Sequence, residues 1–550
     1  MSVRVGMGAD RLLLNGRVLT IDAGFRVVEA IAIRDGRILA VGSNDEMHRL
    51  AESATTVDDL GGATVLPGLI DAHNHLLSTS QVLAQLQLYD CRSIPEILDR
   101  LRRRALAAKP GEWIVGKGWD ESLLAEQRHP TRWELDEVSP DNPVVLHRVW
   151  NKLVANSLAV QAAGVTRETP DPPADEIYAG SFERDPETGE PAGLFRDRAK
   201  ELILRAVPEP THEQLVAAIG TGSRAYNAVG LTGVAEPGLG PKELRAYQAA
   251  HDNGGLTVRT DMLLGAWGFV PASREPDLKR WIAEMGVYGG FGDDVLRIGG
   301  VKFMLDGGVG DRTARMSQPY ANEPENFGQW AVDPEAYPGL VRWVHDLGFS
   351  IDTHTCGDAA QDLAVRAMIA AQTANPNPRL SHRVHHAYVP SEETIRLMGQ
   401  HKIPALVSNP FIVHLGESFV TSLGEERAAR ALPMASYLRA GVPLAGSSDS
   451  PIADFNPWVG MYAAVARRTI TGRQFDLAEA IDVRDALRSY TIGGAHALGL
   501  AAERGSLEAG KVADLIQVDR DPLEVDATGL RDTRVERTML AGKWVYDRPA

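Results

Sequence analysis

Two histidines, His73 and His75, are separated by one residue and follow an apolar run, residues 65–70, of strand character. In a β-strand, residues two apart point to the same side. Both imidazoles can therefore face one point at the strand end, as two ligands of one metal ion must. Neutral imidazole is the commonest protein ligand for zinc and similar divalent ions. Most isolated His-x-His pairs are ordinary surface or packing histidines, so the rest of the chain has to support a site.

Further polar residues lie at the ends of later apolar runs. Lys302 lies inside one such run, and His354 ends another. A third run ends at His385 and His386, and Asp449 follows a fourth run, residues 442–445. If these runs are strands of one barrel, their ends converge on its C-terminal face, where such enzymes keep their sites. The pattern therefore predicts one polar site there.

Each of these residues has an ordinary alternative when it is considered singly. A histidine at a strand end is usually a turn residue, and a lysine in a strand usually points to solvent from an edge. Asp449, followed by Ser450 and Pro451, could cap a helix. Taken together and in this order, the residues favour a site.

The elements that must position these residues form three regions. Residues 67–497 alternate strand-like runs with longer helical patterns in about eight units, which favours a (β/α)₈ barrel over an open sheet. Residues from about 85 to 215 carry extra Pro-rich and acidic sequence and are predicted to be an insertion near the barrel mouth. Residues 1–66 and 498–550 read as short strands and predict one small β-sandwich domain built from both chain ends. In the first of these stretches, Asn15-Gly16 and Asp35-Gly36 are hairpin signals.

Composition restricts the possible partners and the compartment. The chain has 550 residues, 44% of them hydrophobic, and a formal net charge of −16. That charge argues against nucleic acid, since phosphate binding needs a basic face. The chain contains no uninterrupted apolar segment of membrane length, so no membrane association is expected. Its 2 cysteines are no disulfide framework and suit a cytoplasmic protein.

Several segments resemble the amidohydrolase superfamily, in particular the amidohydrolase-3 family of YtcJ-like and N-substituted formamide deformylase-like proteins. The similarity covers nearly the whole chain. The segments that carry it are residues 66–75, 116–122, 300–314, Thr353-His354 with Gly357-Asp358, His386-Ala387, Asp449-Ser450-Pro451 and residues 505–514.

The resemblance implies the following site. His73 and His75 hold one divalent metal ion, with zinc expected and one or two ions per chain. Lys302, carboxylated by carbon dioxide, bridges to a second ion held by His354 and His386. Asp449 is a metal ligand and shuttles the proton. The predicted substrate-binding residues, placed by family position and by loop, are Trp119, Asp120 and Arg312.

The chain departs from the family pattern at two positions. The family commonly has Glu where this chain has His385, which makes His385 and His386 rivals as ligands. We favour His386, because Ala387 follows it as in the family. The family also tends to have His where this chain has Asn151, which predicts a different substrate pocket.

The implied function is hydrolysis of a C–N bond, an amide or N-acyl/N-formyl bond of a small molecule, by metal-activated water. A homo-oligomer, with a dimer favoured, is expected. One alternative is cyclic amide, deaminase or ester hydrolysis on the same site, although Lys302 speaks against the single-metal deaminase type. The other is a catalytically silent binding or regulatory relative, which the full set of site residues disfavours.

Overall fold

The computed structural model describes residues 8–119, 121, 123–148, 152–173, 180–268 and 274–549. The chain divides into two compact units. Unit 1 comprises Met1–Leu76 and Ile219–Ala550, and unit 2 comprises Leu77–Ala218. No helix in the described ranges combines the length and the apolar character that a membrane crossing needs.

The strands are numbered in chain order. They are β1 (Ala9–Leu14), β2 (Arg17–Leu19), β3 (Val27–Val28), β4 (Ala30–Arg34), β5 (Arg37–Gly42), β6 (Ala51–Asp59), β7 (Thr64–Pro67), β8 (Leu69–Asp71), β9 (Leu86–Gln87), β10 (Ile114–Lys117), β11 (Val144–His147), β12 (Lys152–Ala155), β13 (Phe182–Arg184), β14 (Pro191–Arg196), β15 (Leu231–Leu239), β16 (Arg259–Trp267), β17 (Leu296–Met304), β18 (Ser350–Thr355), β19 (Arg383–His386), β20 (Ala405–Val407), β21 (Leu444–Gly446), β22 (Leu515–Val518), β23 (Val535–Leu540) and β24 (Lys543–Asp547).

The helices occupy much of the chain between these strands. The α-helices span Asn44–His48, Leu76–Leu83, Ile94–Ala107, Arg132–Val138, Ser157–Ala162, Glu201–Leu204, His212–Asn227, Pro241–Asp252, Glu275–Glu284, Tyr337–Asp346, Asp358–Ala374, Glu392–His401, Pro410–Leu423, Glu425–Ala429, Met434–Arg439, Pro457–Ala466, Val483–Ser489, Ile492–Ala497 and Ala527–Arg531, and short 3₁₀ helices span Asp197–Lys200 and Leu477–Glu479.

Eight parallel strands of unit 1 form a barrel. They are hydrogen-bonded in the order β21-β20-β19-β18-β17-β16-β15-β8. The ends of β21 and β8 are also linked, because the Ala72 amide donates to the Gly446 carbonyl at 3.1 Å. These strands are almost continuously buried, β17 at all but one residue, as expected of a parallel sheet covered on both faces. The predicted (β/α)₈ barrel is confirmed.

Two further sheets of unit 1 share one apolar core. One pairs β5-β4-β1-β6, and the other pairs β24-β23-β22-β7-β2-β3 and so joins strands from both chain ends. Their common core includes Leu13 and Ile31 from the first sheet, and Val65, Leu515 and Met539 from the second. Two sheets packed on one core form a sandwich.

The two predicted hairpin turns have different outcomes. Asp35-Gly36 joins β4 and β5, which pair as antiparallel neighbours, so that hairpin is confirmed. The hairpin predicted at Asn15-Gly16 is wrong. Asn15 does adopt the left-handed conformation, with φ 57°, but β1 pairs with β4 and β6 while β2 pairs with β3 and β7. The turn therefore moves the chain from one sheet to the other.

Unit 2 is built on a mixed sheet. Its strand order is β13-β14-β12-β11-β10-β9, with β9, β10 and β11 parallel and the others antiparallel. Its two apolar cores contain Leu101 and Trp119 in one and Phe182 and Phe195 in the other. Unit 2 includes the stretch predicted as an insertion, about residues 85–215. Its place near the barrel mouth and the domain limits 1–66, 67–497 and 498–550 stay predictions.

Candidate functional site

The carboxylate of Asp449 lies between the two histidines of the His-x-His pair. Its Oδ1 atom is 3.1 Å from Nε2 of His73 and 3.3 Å from Nε2 of His75. The histidines follow β8 and the aspartate follows β21, so closure of the barrel brings the three residues together. The structure thus joins three of the predicted site residues at the carboxyl ends of the barrel strands.

A buried carboxylate, Asp71, ties together the two segments that carry these residues. It accepts hydrogen bonds from the backbone amides of His73 at 3.2 Å and Ser448 at 3.0 Å. It also accepts from the side chains of Ser448 at 2.6 Å and Asn74 at 2.8 Å. Burial raises the pKa of Asp71 to about 6 despite these donors. Asp449 itself has φ 54°, a left-handed conformation that Asp tolerates better than most residues.

A second group of side chains comes from β17, β18 and β19. The strand register sets Lys302 beside Asp352, and His354 beside His385. Nδ1 of His385 lies 3.2 Å from Nζ of Lys302 and 2.7 Å from Nδ1 of His73. Nε2 of His385 lies 2.8 Å from Oδ1 of Asp352. His385, which the sequence left as an alternative to His386 as a metal ligand, is thus part of a buried network that reaches His73.

The acidic end of this network carries a buried ion pair. Arg383 donates from Nε and Nη2 to the two carboxylate oxygens of Asp352, at 2.6 and 2.7 Å. Both side chains are at most 1% exposed. Burial works against the charge of Arg383, but the adjacent carboxylate raises its pKa above the ordinary value. Such bidentate pairs fix the planes of both groups, so Asp352 presents Oδ1 to His385 in one orientation.

The rings of His354 and His386 meet edge to face near His73. Their ring centroids are 4.4 Å apart, and that of His386 is 5.0 Å from His73. Nε2 of His354 is 3.1 Å from the carbonyl oxygen of Gly307. Nδ1 of His386 is 3.2 Å from the hydroxyl oxygens of both Ser408 and Tyr388. Each imidazole is therefore held by one ring nitrogen, and its other nitrogen has no hydrogen-bond partner among the residues that the structure describes.

Cys356 and Asp306 lie close to His354, and the sequence analysis assigned neither a role. Nε2 of His354 is 3.3 Å from Sγ of Cys356 and 3.7 Å from Oδ1 of Asp306. The Asp306 carboxylate already accepts the backbone amides of Cys356, Gly357 and Arg315 at 2.8–3.0 Å. Asp306 therefore anchors the loop after β17 to the end of β18.

Sequence reasoning also missed the roles of Asp352 and Arg383. A signal was available, because Asp352 lies two residues before His354, and Arg383 two before His385. In a strand this spacing places both members of each pair on the same side, so charged residues at those positions belong with the site.

Burial determines the charge states in this region. It lowers the pKa of His73 to about 3 and of His354 to about 4, and it lowers the pKa of His385 and His386 well below the ordinary value. These imidazoles are neutral at pH 7 and each keeps one nitrogen lone pair. Burial also lowers the pKa of Lys302 to about 8.

Asp449 keeps its negative charge in the same buried region. Burial alone would raise its pKa, but attraction to His73 and hydrogen bonds from His73 and His75 hold the pKa of this carboxyl well below its usual range. One ring nitrogen of His73, one of His75 and one carboxylate oxygen of Asp449 lie within 4.8 Å of one another. Two imidazole nitrogens and a carboxylate oxygen are a donor set typical of zinc and similar ions, so these residues fit a divalent metal.

The structure does not test the predicted substrate-binding residues. Trp119 is 0% exposed in an apolar core of unit 2, and its indole Nε1 has no hydrogen-bond partner within the described ranges. Arg312 pairs with Glu323. Asp120 and Asn151 lie outside the described residues. The predicted substrate contacts stay predictions.

The chain is similar to known proteins over nearly its full length. A family model described as "Amidohydrolase family" matches residues 56–546. N-substituted formamide deformylase of Arthrobacter pascens is 32% identical over 554 residues, covering 98% of both chains. Putative amidohydrolase YtcJ of Bacillus subtilis is 28% identical over 530 residues, covering 94% of this chain and 96% of the relative. The crystal structure of an uncharacterized metal-dependent hydrolase from Pyrococcus horikoshii OT3 superposes with a TM-score of 0.77 at 28% identity, covering 94% of this chain and 99% of the other.

Proposed function

Since the chain belongs to the amidohydrolase family and is therefore a hydrolase, we propose that it is a metal-dependent enzyme that cleaves a C–N bond of a small molecule. The bond is an amide, in particular an N-acyl or N-formyl bond. The observation that carries the proposal is the approach of Nε2 of His73 and His75 to one carboxylate oxygen of Asp449, at the end of the barrel where such enzymes keep their sites.

Two groups of residues would hold the metal. His73, His75 and Asp449 would hold one divalent ion, with zinc expected from this donor set. His354 and His386 would hold a second ion, and carboxylated Lys302 would link the two. A bound ion supplies a Lewis acid that polarises a carbonyl oxygen and lowers the pKa of water.

The surroundings of Lys302 support its carboxylation. Carbon dioxide reacts with a neutral amine, forming an N–C bond and releasing one proton to solvent. A pKa lowered by burial to about 8 makes the neutral amine accessible near neutral pH. The carbamate gains two oxygen donors and removes a buried positive charge that would repel a cation. Its nitrogen retains one hydrogen, so it can still donate to Nδ1 of His385, 3.2 Å from Nζ.

Asp449 is placed to move protons during the reaction. Its ionised carboxylate can accept a proton from the attacking water, and the same group can then deliver that proton to the leaving nitrogen. Without this delivery the leaving group would be an amide anion, which is far too basic. The left-handed backbone at φ 54° and the turn held by Asp71 fix the position of this carboxylate.

The relative from Arthrobacter pascens bears the name N-substituted formamide deformylase, and this supports an N-formyl amide as the first substrate class to test. Zinc as the native metal, a homo-oligomeric state and a cytoplasmic location stay predictions.

An activity screen tests the proposal. Protein loaded with zinc and freed of excess metal is incubated with N-formyl, N-acetyl and N-aryl amides, and release of the amine is measured. The metal-free protein and the Asp449→Asn variant are the controls. We expect metal-dependent hydrolysis in at least one class, with N-formyl compounds fastest. Ester hydrolysis without amide hydrolysis by the loaded protein would contradict the proposal.

A further inference from the structure

Unit 2 contains a group of basic side chains that the proposed function does not use. We propose that Lys117, His147 and Lys200, called here the basic cluster, bind a small oxyanion, with the carboxylate group of a small molecule as the expected ligand. Lys117 ends β10, His147 ends β11, and Lys200 ends the 3₁₀ helix after β14. The proposal concerns unit 2 alone and does not depend on the metal ions or on the bond that the enzyme cleaves.

One row of side chains across the sheet of unit 2 places two of these residues side by side. The strand register aligns Lys117 of β10 with His147 of β11. It also aligns His147 with Leu153 of β12, and Leu153 with Phe195 of β14. Residues aligned in this way share one face of a sheet, and Leu153 and Phe195 lie in an apolar core on that face. The row therefore has an apolar half and a basic half.

Lys200 lies on the same face of the sheet. Its neighbour Ala199 belongs to the apolar core that also contains Val145, and Val145 is on the same side of β11 as His147, two residues later. In addition to burial, the positive charge of Lys200 lowers the pKa of both Lys117 and His147, so the three groups are close together. Lys200 has other interactions as well, and it contributes a nearby positive charge to the cluster.

Lys117 is the residue of the cluster that lacks compensation. It is only 7% exposed, yet its Nζ makes no hydrogen bond or ion pair with any residue that the structure describes. A buried charge is costly unless a partner compensates it. Burial, together with the charge of Lys200, lowers the pKa of Lys117 to about 8, so the amine is mostly protonated at pH 7. A bound anion would supply the missing partner.

The acidic residue Asp197 lies near the cluster without neutralising Lys117. Burial raises the pKa of Asp197, although the positive charge of Lys200 acts in the opposite direction. Neither Lys117 nor His147 is affected by the charge of any carboxylate in the described ranges. The positive charge of Lys117 is therefore not one half of an ion pair within the described part of the chain.

The donors of the cluster fit an oxyanion. A lysine ammonium group offers three N–H donors and no acceptor. Burial and the two lysine charges lower the pKa of His147 to about 4, so at pH 7 its neutral imidazole adds one N–H donor without a further charge. Hydrogen bonds from an ammonium group to a carboxylate are short and strong. The single charge of a carboxylate also matches the one buried, uncompensated charge of Lys117.

Two variants of Lys117 and one control test the assignment. Lys117→Met removes the charge but keeps a long, unbranched side chain, and Lys117→Arg keeps the charge. The control is Lys109→Met, because Lys109 is an exposed lysine of the same unit. Binding of formate, acetate, inorganic phosphate and chloride to the full chain as purified is measured by calorimetric titration. Anion binding at a metal ion is common to all four proteins, so only the component that Lys117→Met loses is assigned to the cluster.

We expect formate and acetate to bind the unaltered protein, and their Kd to rise about 10- to 100-fold in Lys117→Met, the worth of one hydrogen bond to a charged group. Lys117→Arg should retain binding, and Lys109→Met should equal the unaltered protein. Equal carboxylate binding by the unaltered protein and Lys117→Met would overturn the proposal. A loss confined to chloride would overturn the choice of an oxyanion, and a loss confined to phosphate would overturn the choice of a carboxylate.

A second measurement uses the unaltered protein and needs no variant to fold. Lysines are methylated with formaldehyde and a borane reductant, and mass spectrometry of peptides gives the rate at each lysine. Formate at about ten times its Kd should slow methylation of Lys117 about tenfold, because only the unoccupied fraction reacts, and should leave Lys109 unchanged. An equal rate at Lys117 with and without formate would contradict the proposal. Complete lack of reaction at Lys117 would also contradict it, because a binding site has to admit small molecules.

Discussion

The backbone amide of Asp449 donates to the carbonyl oxygen of His73 at 2.9 Å, while its carboxylate oxygen approaches Nε2 of the same histidine at 3.1 Å. One residue is thus joined to the other through both main chain and side chain. The ends of the first and last barrel strands are fixed to each other at this point. A carboxylate held in this way needs little reorganisation to act on a bound substrate.

The Asp449→Asn variant separates catalysis from binding. Asn keeps the shape of the side chain and one oxygen donor but cannot take a proton. The variant should fold and keep the metal held by the histidines, yet lose roughly 10²–10⁴-fold in turnover, the usual worth of a positioned acid–base group. The loss should appear in kcat more than in KM. Steady-state kinetics with the best amide substrate is the check. A near-normal kcat would reduce Asp449 to a structural role.

The Lys302→Ala variant tests the carboxylated bridge. Removal of the side chain eliminates both carbamate oxygens, so zinc content and activity should fall together. Short-chain carboxylic acids such as acetate should restore part of the activity by filling the space with a carboxylate. Metal analysis and a rate titration against acetate measure both effects, with the exposed Lys543→Ala as the control. Unchanged metal content and rate in Lys302→Ala would rule out the bridge.

The Asp352→Ala variant tests the buried ion pair behind the site. It removes the bidentate partner of buried Arg383 and leaves this side chain with the longer contact to Asp261, at 3.7 Å. The removal of one partner of a buried pair typically destabilises a protein by about 3–5 kcal/mol. The matched control is Glu393→Ala, which removes the partner of Arg396 from an exposed pair and should change stability by about 0.5 kcal/mol or less. Denaturant unfolding of both variants is the measurement. Equal effects would mean that the buried pair contributes no more than an exposed one.

The Trp119→Ala variant distinguishes packing from substrate contact in unit 2. Because Trp119 is fully buried in an apolar core, its truncation should lower the free energy of unfolding by about 3–5 kcal/mol. The control, Trp133→Ala, removes a tryptophan that is 40% exposed and should have a much smaller effect. Unfolding followed for both variants gives the comparison. If Trp119→Ala keeps full stability but raises KM, substrate contact is its main role.

The sequence alone was sufficient for the barrel, and it singled out side chains that the structure brings close together. His73, His75 and Asp449 could be related to one another because strand periodicity and barrel closure are general rules, which do not depend on the detailed packing. Lys302, inside an apolar run, was conspicuous because a charged amine there is costly to bury.

Strand spacing could have placed Asp352 and Arg383 with the site, but the bonds within the network behind it could not be predicted in the same way. The bonds of His385 to Asp352 and to His73 depend on the register of β18 against β19 and on the rotamers of buried rings, and neither is encoded in a local pattern. The Asn15-Gly16 turn failed for a related reason, since a local turn signal does not determine which sheet the next strand joins.

Removal and return of the metal test the central claim most directly. Protein purified without chelator is analysed for metal, stripped with a chelator, and reloaded with zinc, while hydrolysis of an N-formyl amide is followed at each stage. We predict about one to two divalent ions per chain, loss of activity on stripping, and its recovery on reloading. Protein that holds no divalent metal as purified, and whose hydrolysis is the same before and after treatment with chelator and zinc, would contradict the account.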